Sequence, residues 1–196
     1  RYDELKKWQK QFPSVSLNTI KKEVKTKGEL VFIFQQGWIP KKRPRPENFR
    51  FPYLVPQYSG IKTAKVMVGT KLYPSTELLY DVGSEAIRTL DADYAYLVAK
   101  KVLGVIAKEV VADQIRQKNE GLGAIAAIVM HAADQADLRQ WGTLPDTFQL
   151  SRIHLPPGEH EISLMGFGPV GEVKMWTGKV NIKAGKKTFI THRSFH

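Results

Sequence analysis

The chain has 196 residues, enough for one ordinary domain or one domain with an appendage. At 42% hydrophobic and 25% charged residues it has the composition of a core-forming protein, not of a disordered one. The absence of cysteine excludes disulfides, cysteine-ligated zinc, iron–sulfur clusters and thiol catalysis, and no apolar run approaches the roughly 20 residues of a membrane-spanning helix. The net charge of +11 is concentrated at the ends. Residues 1–28 hold eight basic and three acidic residues and residues 172–196 hold six against one, whereas 81–145 hold seven against nine. That distribution suits electrostatic attachment to an anionic partner. No helix-turn-helix, zinc-finger spacing or RNP-like aromatic run accompanies it, which speaks against nucleic acid as that partner.

Opening on Arg1 without the charged and apolar regions of a signal peptide, the chain reads as a fragment or a processed chain, with any targeting signal upstream. Tyr2, Leu5, Trp8 and Phe12 are close to helical spacing and Pro13 ends the pattern. Residues 1–27 are therefore expected to be a helix and a polar linker, the remnant of an upstream helical region. From Gly28 the character changes. Leu30–Phe34 (LVFIF) is a short apolar run between glycines and predicts a buried strand. Residues 41–52 (KKRPRPENFRFP), with three prolines and five basic residues, predict an extended loop. Residues 61–68 predict another strand, and 70–81 a strand or loop turning at Pro74.

Residues 81–118 switch to a period of 3.6. Leu90, Tyr94, Leu97, Val98, Val102, Val105, Ile106 and Val110 form one stripe, with a break near Thr89–Asp93 and Asp91 as the expected N-cap. A second helix is expected over 120–136, striped by Leu122, Ile125, Ala126, Val129, Met130 and Ala133, so that the insertion at about 81–136 is an α-helical hairpin. Helices 91–118 and 120–136 also offer a surface for a homo-oligomer. After Pro145 the β pattern returns over 148–155, 160–167, 172–182 and 187–195. A change of parity near Ser151–Arg152 predicts a β-bulge there. Strands, a helical insertion and strands again give an α+β fold, an antiparallel β-sandwich with an inserted α-helical hairpin, the sandwich domain spanning 28–196.

Several motifs are tempting. Gly166–Gly171 (GFGPVG) matches G-x-G-x-x-G, but a strand pattern follows it where a nucleotide fold needs a helix, so it reads as a hairpin turn. Gly121–Ala126 (GLGAIA) follows helix, not strand, and reads as close helix packing. His131, Asp134 and Asp137, and the pair His154 and His160, are incomplete as metal sites. No G-x-S-x-G elbow is present. These features predict no catalytic residue, no cofactor and no metal. The strongest constellation is Asp137, Arg139 and Trp141, followed by Leu144-Pro145, where the insertion returns to the sheet. It is expected to form a buried or half-buried ion pair under an aromatic lid, serving as a structural staple or as a site for a carboxylate or phosphate ligand.

Three segments together, residues 28–40 (GELVFIFQQGWIP), Asp137–Trp141 (DLRQW) with Leu144-Pro145, and 152–162 (RIHLPPGEHEI) continuing to AGKKTFI (184–190), resemble a family of bacterial envelope lipoproteins. The resemblance implies a lipid-anchored, tetratricopeptide-like helical region upstream, a β-rich C-terminal domain, and a location at the bacterial periplasm or outer membrane, held by a lipid anchor outside this chain. The expected function is that of a non-catalytic envelope domain, a scaffold or partner-docking module for envelope proteins or an anionic envelope polymer. The alternative is an enzyme or binding module acting on envelope glycan or lipid.

Overall fold

The computed structural model describes residues 6, 7, 10, 25–118, 121, 124, 125, 135–169 and 171–195. The expected N-terminal helix and linker lie largely outside these residues. So does the expected helix over 120–136, of which Gly121, Ala124 and Ile125 are helical and Gln135 and Ala136 are not. The described residues form an α+β fold of ten strands and two helices. The chain divides into two compact units, one of residues 1–37, 58–80 and 147–196, the other of 38–57 and 81–146.

The first unit is built on β1 (Gly28–Gln36). Leu30, Phe32 and Phe34 are completely buried, and Val31, on the opposite parity, is also buried. A strand apolar on both faces is a central strand, and β1 lies between β7 (Thr147–Leu155), antiparallel to it, and β10 (Lys187–Ser194), parallel to it. With β6 (Glu77–Asp81) these make a sheet in the order β10-β1-β7-β6. A second sheet runs β5-β4-β8-β9, from Lys71–Ser75, Thr63–Val68, Gly158–Gly168 and Gly171–Ile182. One buried cluster draws on both sheets, with Leu30, Phe32, Phe34, Ile153 and Leu155 from the first and Ala64, Val66, Ile162, Leu164 and Ile182 from the second. Each of its large side chains contributes roughly 1.5–3 kcal/mol by leaving water.

The expected bulge at Ser151–Arg152 does not form. β7 pairs residue for residue with β1 from Thr147 to Leu155. The change of parity has another cause. Gln149 takes the inward position opposite Phe34, and Phe148 and Leu150 lie half-buried on the outer face. Burying Gln149 is tolerated because its amide is fully engaged. It donates to the Lys62 carbonyl (2.7 Å) and to Thr147 Oγ1 (3.2 Å), and accepts from Thr76 Oγ1 (2.5 Å). The register shifts lie in the second sheet instead. In one, Leu164 faces Trp176 while Met165 faces Lys174, leaving Met175 as the extra residue. The other is in the pairing of β4 with β5, beside Pro74, an edge-strand position where a missing N–H costs nothing. Residues 70–81, read as one strand or loop, thus form β5 and β6 of different sheets, joined by the buried Thr76.

Near one end of β1, Glu29 is buried and accepts from Arg152 Nε, with Lys187 Nζ 3.7 Å away. Burial alone would raise its carboxyl pKa. The hydrogen bond and charge of Arg152, with the charges of Lys187 and His154, outweigh burial and hold it below the ordinary value. A depressed folded pKa makes this contribution complete above the unfolded value of about 4.3 and lost as pH falls through the folded one. Glu29→Gln is therefore expected to cost about 1–3 kcal/mol at pH 7, with thermal melts of the two proteins converging as the pH is lowered below about 4.

The second unit carries β2 (Lys41–Pro44) antiparallel to β3 (Pro52–Val55). This corrects the extended loop expected over 41–52. Pro44 and Pro52 face each other at the end of the ribbon, so the prolines frame its ladder instead of breaking it. Helix α1 (Val82–Ala92) is capped by Asp81, which accepts from Ser84 N at 2.8 Å. Asp93 closes α1 and α2 (Tyr94–Lys118) follows, so the break falls where the pattern placed it. Asp91, the expected N-cap, lies inside α1 and reaches Arg45 at 3.4 Å. Arg45 lies over the Tyr94 ring, 4.4 Å from its centroid, and Phe51 meets Tyr94 edge-on at 5.5 Å. The expected stripe is covered only in part. Tyr94, Leu97, Val98 and Val105 are half-buried, whereas Val102, Ile106 and Val110 are exposed and Ala112 is buried. Because apolar residues occur on every side of α2, interspersed with charged ones, periodicity alone does not select its covered face.

The glycines of GFGPVG belong to the β8–β9 hairpin, Gly168 pairing with Gly171, whose φ is +93°. A Cβ on Gly168 would collide with the Gly60 backbone carbonyl. The motif is thus required by a crossing backbone, not by a phosphate. Gly168→Ala is expected to lower stability by about 1–3 kcal/mol through overpacking, measured by chemical denaturation.

Candidate anion-binding site

Asp137 and Arg139 form the ion pair expected of them. Arg139 Nε and Nη2 donate to the two carboxylate oxygens at 2.9 and 2.8 Å, and Arg139 N donates to Oδ1 at 3.1 Å. The Arg139 hydrogen bonds and charge hold the Asp137 carboxyl far below the usual carboxylate range. The expected burial is absent. The Arg139 side chain is 92% exposed and Trp141 is 72% exposed. Trp141 is no lid, since its indole N–H donates to Thr143 Oγ1 at 2.7 Å. Arg139 and Asp137 satisfy each other within a two-residue turn of irregular chain, so nothing draws either into a core.

The fastening of this segment within its unit is done by its neighbours. Gln140 Oε1 accepts from Lys42 N, and Gln140 Nε2 donates to the Pro40 carbonyl at 3.2 Å. Lys42 Nζ donates to the Arg139 carbonyl at 3.0 Å, and Ile39 N to the Leu144 carbonyl at 3.1 Å. Residues 38–42 and 139–144 are thereby tied side by side, and between them opens a hollow of about 450 Å³.

Its wall is a set of complementary groups. Trp38, Pro44 and Leu138 supply apolar surface. Gln57 and Gln140 supply amides, Gln57 being held by its 3.0 Å bond to the Ile39 carbonyl. Lys41, Lys42 and Arg43 supply three consecutive cations, and no carboxylate lines this hollow among the described residues. Alternation along β2 puts Lys41 and Arg43 on one face, about 7 Å apart, and Lys42 on the other. Both are exposed, and among the described residues neither makes an ion pair. A second hollow of about 310 Å³ shares Lys42 and adds Arg50 and Lys101, but Asp93 and Asp137 stand among its cations and offset them. The first hollow thus sets three cations against no carboxylate, the second three against two.

Trp38, Lys41 and Arg43 were not singled out by the sequence pattern. The available signal was the two-residue spacing of Lys41 and Arg43, hidden by prolines that argued for loop. Of the other candidates, His131 and Asp134 lie outside the described residues, as does most of GLGAIA. The Pro156-Pro157-Gly158 turn joins strands of different sheets, and His160 Nε2 lies 2.8 Å from the Pro156 carbonyl, so His154 and His160 do not face each other across a hairpin. Among the described residues no group of three His, Asp or Glu is placed to hold a metal, and no helix is long and apolar enough to cross a membrane. No family model, curated protein or solved structure matches this chain.

The two neighbouring side chains are expected to differ in consequence. Gln140→Ala costs about 1 kcal/mol by leaving the Pro40 carbonyl and Lys42 N–H without these partners, whereas Arg139→Ala leaves the melting temperature unchanged, both read by thermal unfolding.

Proposed function

We propose that the chain is a non-catalytic docking module of the bacterial envelope, whose partner is an anionic envelope polymer held at the hollow beside β2. The observation that supports this is the placement of Lys41 and Arg43, two cations on one strand face that make no ion pair among the described residues, beside a cavity lined by no carboxylate among those residues. The net charge of +11 adds a long-range field that gathers polyanions and weakens with salt. In this reading the two four-stranded sheets form a β-sandwich that serves as a rigid scaffold, and the family resemblance supplies the setting. The domain would follow a lipid-anchored, tetratricopeptide-like helical region at the periplasmic or outer-membrane surface.

The chain is expected to bind isolated lipopolysaccharide or peptidoglycan at low salt, measured by co-sedimentation. Affinity should fall about tenfold between about 50 and 200 mM salt, the slope for about two displaced counterions. A Cβ at Gly142, on the rim of the hollow, meets open space, so a side chain there is accommodated without rearrangement. Gly142→Glu sets a carboxylate on that rim and abolishes binding, as does Lys41→Glu with Arg43→Glu, while Gly142→Gln retains it. Failure of the wild-type chain to bind either polymer at low salt refutes the proposal.

A further inference from the structure

We infer that the ligand unit seated in this hollow is an acidic sugar, a pyranose bearing a carboxylate, with Trp38 as the platform beneath its ring; this rests on the anion-docking reading above. Two cations by themselves define only an anion. The rest of the wall narrows the class.

An indole presents a broad, rigid apolar face. A pyranose presents one face of C–H groups, so the two stack without stripping water from the hydroxyls at the ring's edge. Those hydroxyls then need polar partners, and Gln57 and Gln140 line the same hollow, each amide keeping one N–H and acceptor capacity on Oε1 beyond its bonds to the backbone. Both amides are already anchored to backbone, Gln57 to Ile39 and Gln140 to Pro40 and Lys42, so their orientation is set before any ligand arrives. The guanidinium of Arg43 matches a planar carboxylate with two parallel hydrogen bonds, and Lys41 adds a point charge on the same face.

The size also fits. A space of about 450 Å³ accommodates a ring with its substituents. A flexible polyphosphate has no face to lay on Trp38 and needs none of the amides. A single-stranded nucleic acid stacks successive bases on successive aromatics, whereas Trp38 is the one aromatic among the residues that line the hollow.

The test uses the whole chain with two probes of like charge, an oligogalacturonate and an inorganic polyphosphate, titrated at low salt. The expected result is tighter binding of the oligogalacturonate. Trp38→Ala should weaken oligogalacturonate binding about tenfold, the order expected for loss of one aromatic contact surface, and leave polyphosphate within twofold. Trp38→Phe should retain most of the sugar affinity, which separates loss of the platform from loss of the fold. Polyphosphate binding without oligogalacturonate binding overturns the sugar assignment and leaves the docking function standing. An equal loss of both probes in Trp38→Ala overturns it too, because Trp38 would then be a structural support. Binding of neither probe overturns the sugar assignment, and the docking reading falls with it only where lipopolysaccharide and peptidoglycan are not bound either.

Discussion

Everything in the first unit depends on β1 being acceptable to water on neither face. Its even-numbered residues fill the shared core, and Val31 is covered on the other side. A nine-residue strand of this kind demands a hydrogen-bonded neighbour along each edge. The neighbours come from the last third of the chain, β7 and β10. The core, the buried Gln149 network and the Glu29–Arg152 pair are secondary to that requirement. Each is a way of making the neighbourhood of β1 consistent, by filling, by hydrogen bonding or by charge.

The second unit follows a different logic. Its order comes from polar fastening as much as from apolar burial. Asp81 caps α1, Asp93 separates the helices, Arg45 is held between Asp91 and Tyr94, and Gln140 ties an irregular segment to β2. Hydrogen bonds of this sort contribute modestly one by one, but they fix direction. What they fix here is a strand whose outward side chains, Lys41 and Arg43, are cations that make no ion pair among the described residues. A surface built in this way stores unsatisfied electrostatic potential at a defined place, and the cavity beside it gives that potential a shape.

Much of the β framework was legible because its signals are local and redundant. The apolar run at Leu30–Phe34 and the turns at Pro156-Pro157-Gly158 and after Gly168 carry their strands unaided. The break between the helices was legible from Thr89–Asp93. What was not legible depended on partners remote in sequence. The parity of Phe148 and Leu150 suggested a bulge because nothing in 148–155 reveals that Thr76 and the Lys62 carbonyl stand ready for Gln149. The ribbon at 41–55 was hidden because prolines argue for loop unless both happen to sit at the end of the ladder. At Asp137, Arg139 and Trp141 the chemistry of the pair was right and its setting wrong, since composition does not distinguish a core from a surface turn. The residues now assigned to the site, Trp38, Lys41 and Arg43, acquire meaning only when residues 138–142 are laid beside them.

The parallel pairing of β1 with β10 has a consequence for how the molecule is made. Glu29 lies opposite Lys187 and Gln36 opposite Ser194, so β1 is synthesised well before the strand it pairs with. Contacts so distant along the chain close slowly. During synthesis one edge of a strongly apolar strand stands without its neighbour, the kind of edge on which foreign strands add. The nascent chain thus passes through a vulnerable interval that only the arrival of β10 can end.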